Sequence, residues 1–119
     1  MNLDNAIAAH AAWKTKFRAA INGKEAMDAS TIAKDNCCEL GKWLHGEGLG
    51  LYGSKPEFSA LIQNHKVFHA EAGKVAGLIN GKKYKEAEQA IGGATPFAAA
   101  SNETSLAINR VKRAIAATV

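Results

Sequence analysis

Apolar residues recur along most of the chain at the three- and four-residue steps of an α-helix, and turn-forming residues sit in the gaps. Ile7, His10, Trp13, Phe17 and Ile21 mark the first stripe and predict a helix from about Leu3 to Ile21, closed by Asn22 and Gly23. A second helix is expected from the cap region Asp28 to Ser30 through Leu40, Trp43 and Leu44. The glycine-rich run from Gly46 to Gly50 stops it, and reads as a flexible interhelical loop. Ser54, Pro56 and Glu57 match a capped helix start, with Ser54 as cap. The stripe that follows is Phe58, Leu61, Ile62, His65, Phe68, His69, Ala72, Val75 and Ile79, ending at Asn80 and Gly81. A short helix is expected from Tyr84 to Ile91, then a stop at Gly92 and Gly93. The last helix opens at Thr95 and Pro96, and its seam of Phe97, Ser101, Thr104, Ile108, Val111 and Ile115 follows a heptad rhythm.

Four long helices and one short one, joined by mostly short connections, predict an all-α fold: an antiparallel four-helix bundle with an additional short helix. The 119 residues make one domain, 1–119, with 47% hydrophobic residues to fill a core. No apolar run is long enough to cross a bilayer, and the first ten residues lack a basic region followed by an apolar one. A cytoplasmic protein without direct membrane contact is expected. The formal charge of +4 raises the question of nucleic acid, but the lysines are scattered among acidic residues and no basic stripe carries stacking aromatics. A solvated surface with no nucleic-acid partner is the better reading.

Histidine is what changes this picture. His65 and His69 lie four residues apart on an apolar stripe, so their rings project one turn above the other toward the core. Two half-buried histidines bonded to carbonyls or water would also explain them. His10 tips the balance, because it is a third inward-facing histidine on a different helix, and a shared metal explains that where a core does not. The fourth, His45, falls in the last turn of its helix, where a cationic residue suits the C-terminus.

A fourth ligand is expected from the second helix, which offers Cys37 or Cys38. Three imidazoles and a thiolate form a tetrahedral zinc set. Helical spacing leaves both cysteines open: Cys37 shares a face with Leu40 and Leu44, while Cys38 lies about 200° round from Leu40. Other chemistries fit less well. No Glu-x-x-His motif suggests a di-iron bundle, Lys66 rather than glutamate follows His65 as a zinc protease would not allow, and no Cys-x-x-Cys-His attaches haem. Residues 46–50 follow a helix instead of a strand, unlike a phosphate loop.

The runs His10 to Lys14 (HAAWK), Cys38 to Leu44 (CELGKWL) and His65 to His69 (HKVFH), in that order, resemble the chemoreceptor zinc-binding domain family. The similarity extends to the turn from Gly81 to Tyr84 and the serine-containing last helix. Its Cys-x-Leu-Gly-x-Trp pattern selects Cys38, so the implied ligands are His10, Cys38, His65 and His69. The resemblance implies a regulatory domain and not an enzyme, a homodimeric helical bundle that accompanies bacterial chemotaxis receptors and diguanylate cyclases. Its output would pass to a signalling domain or protein, in cis or in trans. Such domains are linked to zinc or to oxidants such as hypochlorous acid, which would make Cys38 a redox switch. Asp35, one predicted turn before Cys38, is placed to bond a ligand or tune the thiolate, although a solvated carboxylate explains it equally well. A zinc staple in a dimerisation module, with no sensing role, is the alternative. Hydrolysis by zinc-bound water lacks a general base and a substrate pocket.

Overall fold

The computed structural model describes residues 1–117; the last two positions of the expected 1–119 domain lie outside them. Every element among the described residues is a helix, as expected. In chain order these are α1 (Leu3–Ala11), α2 (Trp13–Gly23), α3 (Ala29–Ile32), α4 (Glu39–Leu44), α5 (Glu47–Tyr52), α6 (Pro56–Asn80), α7 (Tyr84–Ala90) and α8 (Pro96–Ala116). The long helix α6 packs along α8 and also receives α2, α3 and α7, while α1 lies against α8.

The periodic stripes became buried faces. Phe58, Leu61, His65, Phe68, His69, Ala72, Val75 and Ile79 of α6 are all buried, as are Phe97, Thr104, Ile108 and Val111 of α8. The seam of α8 is thus spent within the chain's own core, with only Ser101 and Ile115 partly exposed. Local capping agrees with the elements at several ends. Asn2 accepts a hydrogen bond from the Asn5 amide, Asp28 from the Thr31 amide, and Thr95 from the Ala98 amide.

Three expectations need correction. The second predicted helix, from Asp28 to Leu44, is broken into α3 and α4, with residues 33–38 between them not helical. The cause is visible at Ile32, whose carbonyl accepts from His69 Nδ1 at 2.8 Å instead of continuing a helical ladder. Residues 46–50 do not form a flexible loop, because α5 forms there. Gly48 backs onto the Trp43 ring, where a Cβ would come within 2.6 Å, so the small residue permits a close turn of helix on helix. Finally, Lys55 and not Ser54 is the residue before α6, and no side chain caps that end; Pro56 starts it.

Smaller differences occur at two further ends. The first predicted helix is interrupted at Ala12, which keeps right-handed helical angles, so α2 continues from α1. After α2 the left-handed conformation falls on Lys24 (φ 52°) and not on Gly23.

The core forms two apolar layers. Phe17, Ile21, Phe68, Val75, Ile79 and Phe97 belong to one, and Leu3, Leu40, Leu44, Phe58, Leu61 and Ile108 to the other. Along α1 and α2, along α6, and along α8, the chain passes from one layer to the other through a buried polar residue: His10, His65 with His69, and Thr104. These form a polar waist between the layers.

Candidate metal centre

Each donor reaches the waist for a local reason. His10 is near the end of α1, and its Nδ1–H donates to the Ala6 carbonyl one turn earlier at 2.8 Å, which orients the ring inward. His65 and His69 project from consecutive turns of α6. Cys38 is the residue before α4, in extended backbone (φ −80°, ψ 164°), and its sulfur accepts from the Gly41 amide at 3.3 Å. Helical arithmetic could not separate Cys37 from Cys38, because neither lies within a helix. The chain turns Cys38 inward as the N-cap of α4 and leaves Cys37 exposed, its thiol 3.5 Å from Asn36 Oδ1.

His10, Cys38, His65 and His69 come together, with one donor atom from each, all within 4.8 Å of one another. His65 Nε2 lies 3.1 Å from His10 Nε2 and 3.0 Å from His69 Nε2. Cys38 Sγ lies 3.2, 3.6 and 3.9 Å from Nε2 of His65, His69 and His10. A tetrahedral ion with bonds of about 2.0–2.1 Å to nitrogen and about 2.3 Å to sulfur separates its ligands by about 3.3 Å (N to N) and about 3.5 Å (N to S). The three sulfur–nitrogen edges bracket their expected length, and the two nitrogen–nitrogen edges fall slightly short of theirs.

The tautomers support the same fit. A carbonyl only accepts, so the bonds to Ala6 and Ile32 fix a proton on Nδ1 of His10 and of His69. In neutral rings this leaves both Nε2 lone pairs bare and aimed at one point. Phe68 walls the site, its ring edge-on to both, with centroids 5.1 Å from His10 and 5.3 Å from His69. A divalent cation among one thiolate and three bare imidazole nitrogens satisfies every donor, and the soft and borderline set suits zinc.

Burial keeps the rings neutral. It is the main cause lowering the pKa of His10, His69 and His65, the last to about 2, where neighbouring His69 and His10 add to it. Burial likewise raises the Cys38 thiol, against the pull of the Gly41 and Leu40 amides. The consequence for stability has a definite sign. The unfolded chain takes up protons on these histidines below their ordinary value of 6.5, whereas the folded chain resists them. Stability is therefore complete above that pH and is lost as pH falls toward about 2. The metal-free protein is expected to lose up to about 1.4 kcal/mol per histidine for each pH unit below 6.5. Urea midpoints that are lower at pH 5 than at pH 7.5 check this, and identical midpoints would contradict it.

Asp35 does not bond a donor. Its carboxylate meets His45 Nε2 at 3.1 Å, which ties the 33–38 segment to the end of α4, and its charge reaches Cys38 and His69 only through space. His45 is kept out of the donor set and serves as the residue after α4. Sequence reasoning passed over two glycines. The Asp35 carbonyl lies directly on Gly41, and Ala33 Cβ would approach a Cβ on Gly73 to 2.6 Å. These close approaches seat the 33–38 segment against α4 and α6. The glycine at 41 stood in view within the CELGKWL run, but only the folded-back segment shows why it is small. Thr104 was seen as a seam residue alone. It fills the α8 side of the waist, fully buried, and donates to the Asn64 carbonyl at 3.1 Å.

An all-α chain whose buried waist gathers three imidazoles and one thiol from separate segments is a metal-binding helical module. The chain belongs to the chemoreceptor zinc-binding domain family, whose model matches residues 10–76, a stretch that begins at His10 and contains all four donors. No curated protein and no solved structure matches the chain. No helix among the described residues is long and apolar enough to cross a membrane.

Proposed function

We propose that the domain is a zinc-dependent regulatory module, and not an enzyme, in which His10, Cys38, His65 and His69 hold one zinc ion. The observation that carries this is the convergence of four donors from three separate stretches of chain onto one buried point. Occupancy then bears directly on the 33–44 stretch, which is built from a non-helical segment and the short helix α4 and enters the waist through Cys38 alone. The long segments are read as an antiparallel bundle. The module works as a cytoplasmic homodimer and passes its state to a signalling domain or protein, in cis or in trans.

Cys38 is the switch in this reading. Metal binding keeps the half-buried sulfur as thiolate, the form that strong oxidants attack. Hypochlorous acid converts the thiolate to sulfenic acid and leaves as chloride, removing a good ligand from the set. Two clefts reach the residue, one beside Asn5, His10 and Glu39, the other beside Trp13, Lys34 and Cys37. The permanent-staple alternative requires the fold to collapse without metal. Two apolar layers that are each continuous on either side of the waist favour a metal-free form that stays helical.

The test is a brief pulse of hypochlorous acid on the zinc-loaded protein, followed by mass spectrometry and measurement of free zinc. Oxidation at Cys38 ahead of the more exposed Cys37, with release of zinc, is the expected result. Equal oxidation of both would sink the switch, and loss of the circular-dichroism helix signal on chelation would favour the staple.

A further inference from the structure

We propose that His65 is the release point of the site, because it can bind metal only by moving its proton from Nε2 to Nδ1, where no partner receives it. The proposal rests on the zinc reading above and concerns how firmly each histidine is held to that task.

The three rings are not equivalent. His10 and His69 each donate Nδ1–H to a backbone carbonyl, Ala6 and Ile32, both at 2.8 Å. Those bonds hold ring and tautomer whether or not a metal is bound, so both present a bare Nε2 at all times. His65 has no such bond. It is fully buried, and its Nδ1 is the single buried side-chain nitrogen or oxygen without a hydrogen-bond partner among the described residues.

In the metal-free protein the crowding around His65 Nε2 determines its tautomer. Two bare nitrogens lie 3.1 and 3.0 Å away, and either contact is attractive only when His65 Nε2 carries a hydrogen to donate. The Cys38 thiol supplies the second hydrogen, within reach of His69 Nε2 at 3.6 Å. Two donors then meet two acceptors, and the waist is closed without a cation. His65 Nδ1 is a bare acceptor in this state, the milder kind of unsatisfied group.

Coordination reverses this arrangement. Nε2 must give up its hydrogen, and a neutral ring can only carry it on Nδ1, so a buried N–H is left without an acceptor. The ring's charge does not change; only the position of the proton does. Histidine ligands ordinarily donate their second N–H to a carbonyl, carboxylate or water, and losing such a partner weakens metal binding by about 10–100-fold. His65 thus sets the affinity of the site below what its donor set would otherwise reach, and it is the first donor to let go. A site that must exchange its metal is served by one unsupported ligand; a permanent staple is not.

Long-range proton–nitrogen NMR of the full chain labelled with ¹⁵N-histidine tests this directly, first free of metal and then with one equivalent of zinc. The expected result is Nδ1–H on His10 and His69 throughout, with His65 alone moving from Nε2–H to Nδ1–H. His65 already carrying Nδ1–H in the metal-free protein would overturn the proposal, as would a zinc-form Nδ1–H protected from exchange by a hydrogen bond. Failure of zinc to shift any of the three Nε2 resonances would instead remove the zinc reading on which it rests.

Discussion

Serine in place of Cys38 is expected to weaken zinc binding by at least about a hundredfold, while Cys37→Ser binds one ion per chain as tightly as the unaltered protein. The pair is a clean comparison because the fold has little stake in the sulfur. Serine is a strongly preferred N-cap, so it can take over the bond that Cys38 Sγ accepts from the Gly41 amide, and α4 keeps its start. What disappears is the anionic soft donor. Loss of an outer-sphere partner alone costs about 10–100-fold in metal affinity, so loss of a ligand should cost at least about a hundredfold. Cys37, exposed and outside the donor set, has no such role. Chelator competition also gives a pH signature. The half-buried Cys38 thiol is held above its ordinary range, so it is protonated at neutral pH and must lose that proton to bind metal. The histidines, held below theirs, offer no competing proton. Affinity should therefore rise about tenfold per pH unit across neutrality. That slope should vanish in Cys38→Ser, and a slope unchanged by the substitution would contradict the assignment.

Gly41→Ala is expected to destabilise the domain by about 1–3 kcal/mol and to weaken zinc binding with it. The sign is the informative part. Glycine inside a helix ordinarily costs about 1 kcal/mol relative to alanine, so the same change elsewhere should stabilise. At Gly41 the added methyl group meets the Asp35 backbone carbonyl, and backbone cannot rotate aside as a flexible side chain can. The 33–38 segment must lift away, which takes Asp35 from His45 and moves Cys38 out of register with the histidines. Gly50 is the control: it lies within α5 with nothing near a Cβ, and its alanine variant should be neutral or more stable. Denaturant midpoints and zinc affinity measured on both variants check the contrast. Equal midpoints would show that the 33–38 segment is not seated as described.

Much of the waist was legible in the sequence for one physical reason. A histidine on an apolar stripe of a long helix has its direction set by helical periodicity, and His10, His65 and His69 all sit on such stripes. Cys38 was not legible by that route, since periodicity says nothing about a residue in extended backbone before a helix; the short run shared with the family was what singled it out. The break after Ile32 was hidden for a related reason. It depends on a bond from His69, 37 residues away, that takes the Ile32 carbonyl out of the local ladder. Likewise the glycines at 46, 48 and 50 read as a loop by composition, whereas α5 owes its place to the fit of Gly48 on Trp43. Asp35 was read through a helix that is not there, and its true partner, His45, comes from the following helix end.

X-ray absorption at the zinc edge of the purified, reconstituted protein tests the donor set most directly. Three nitrogens at about 2.0–2.1 Å and one sulfur at about 2.3 Å around each ion are expected, with one ion per chain. A first shell without sulfur, or a protein that takes up no zinc, would contradict the assignment of His10, Cys38, His65 and His69.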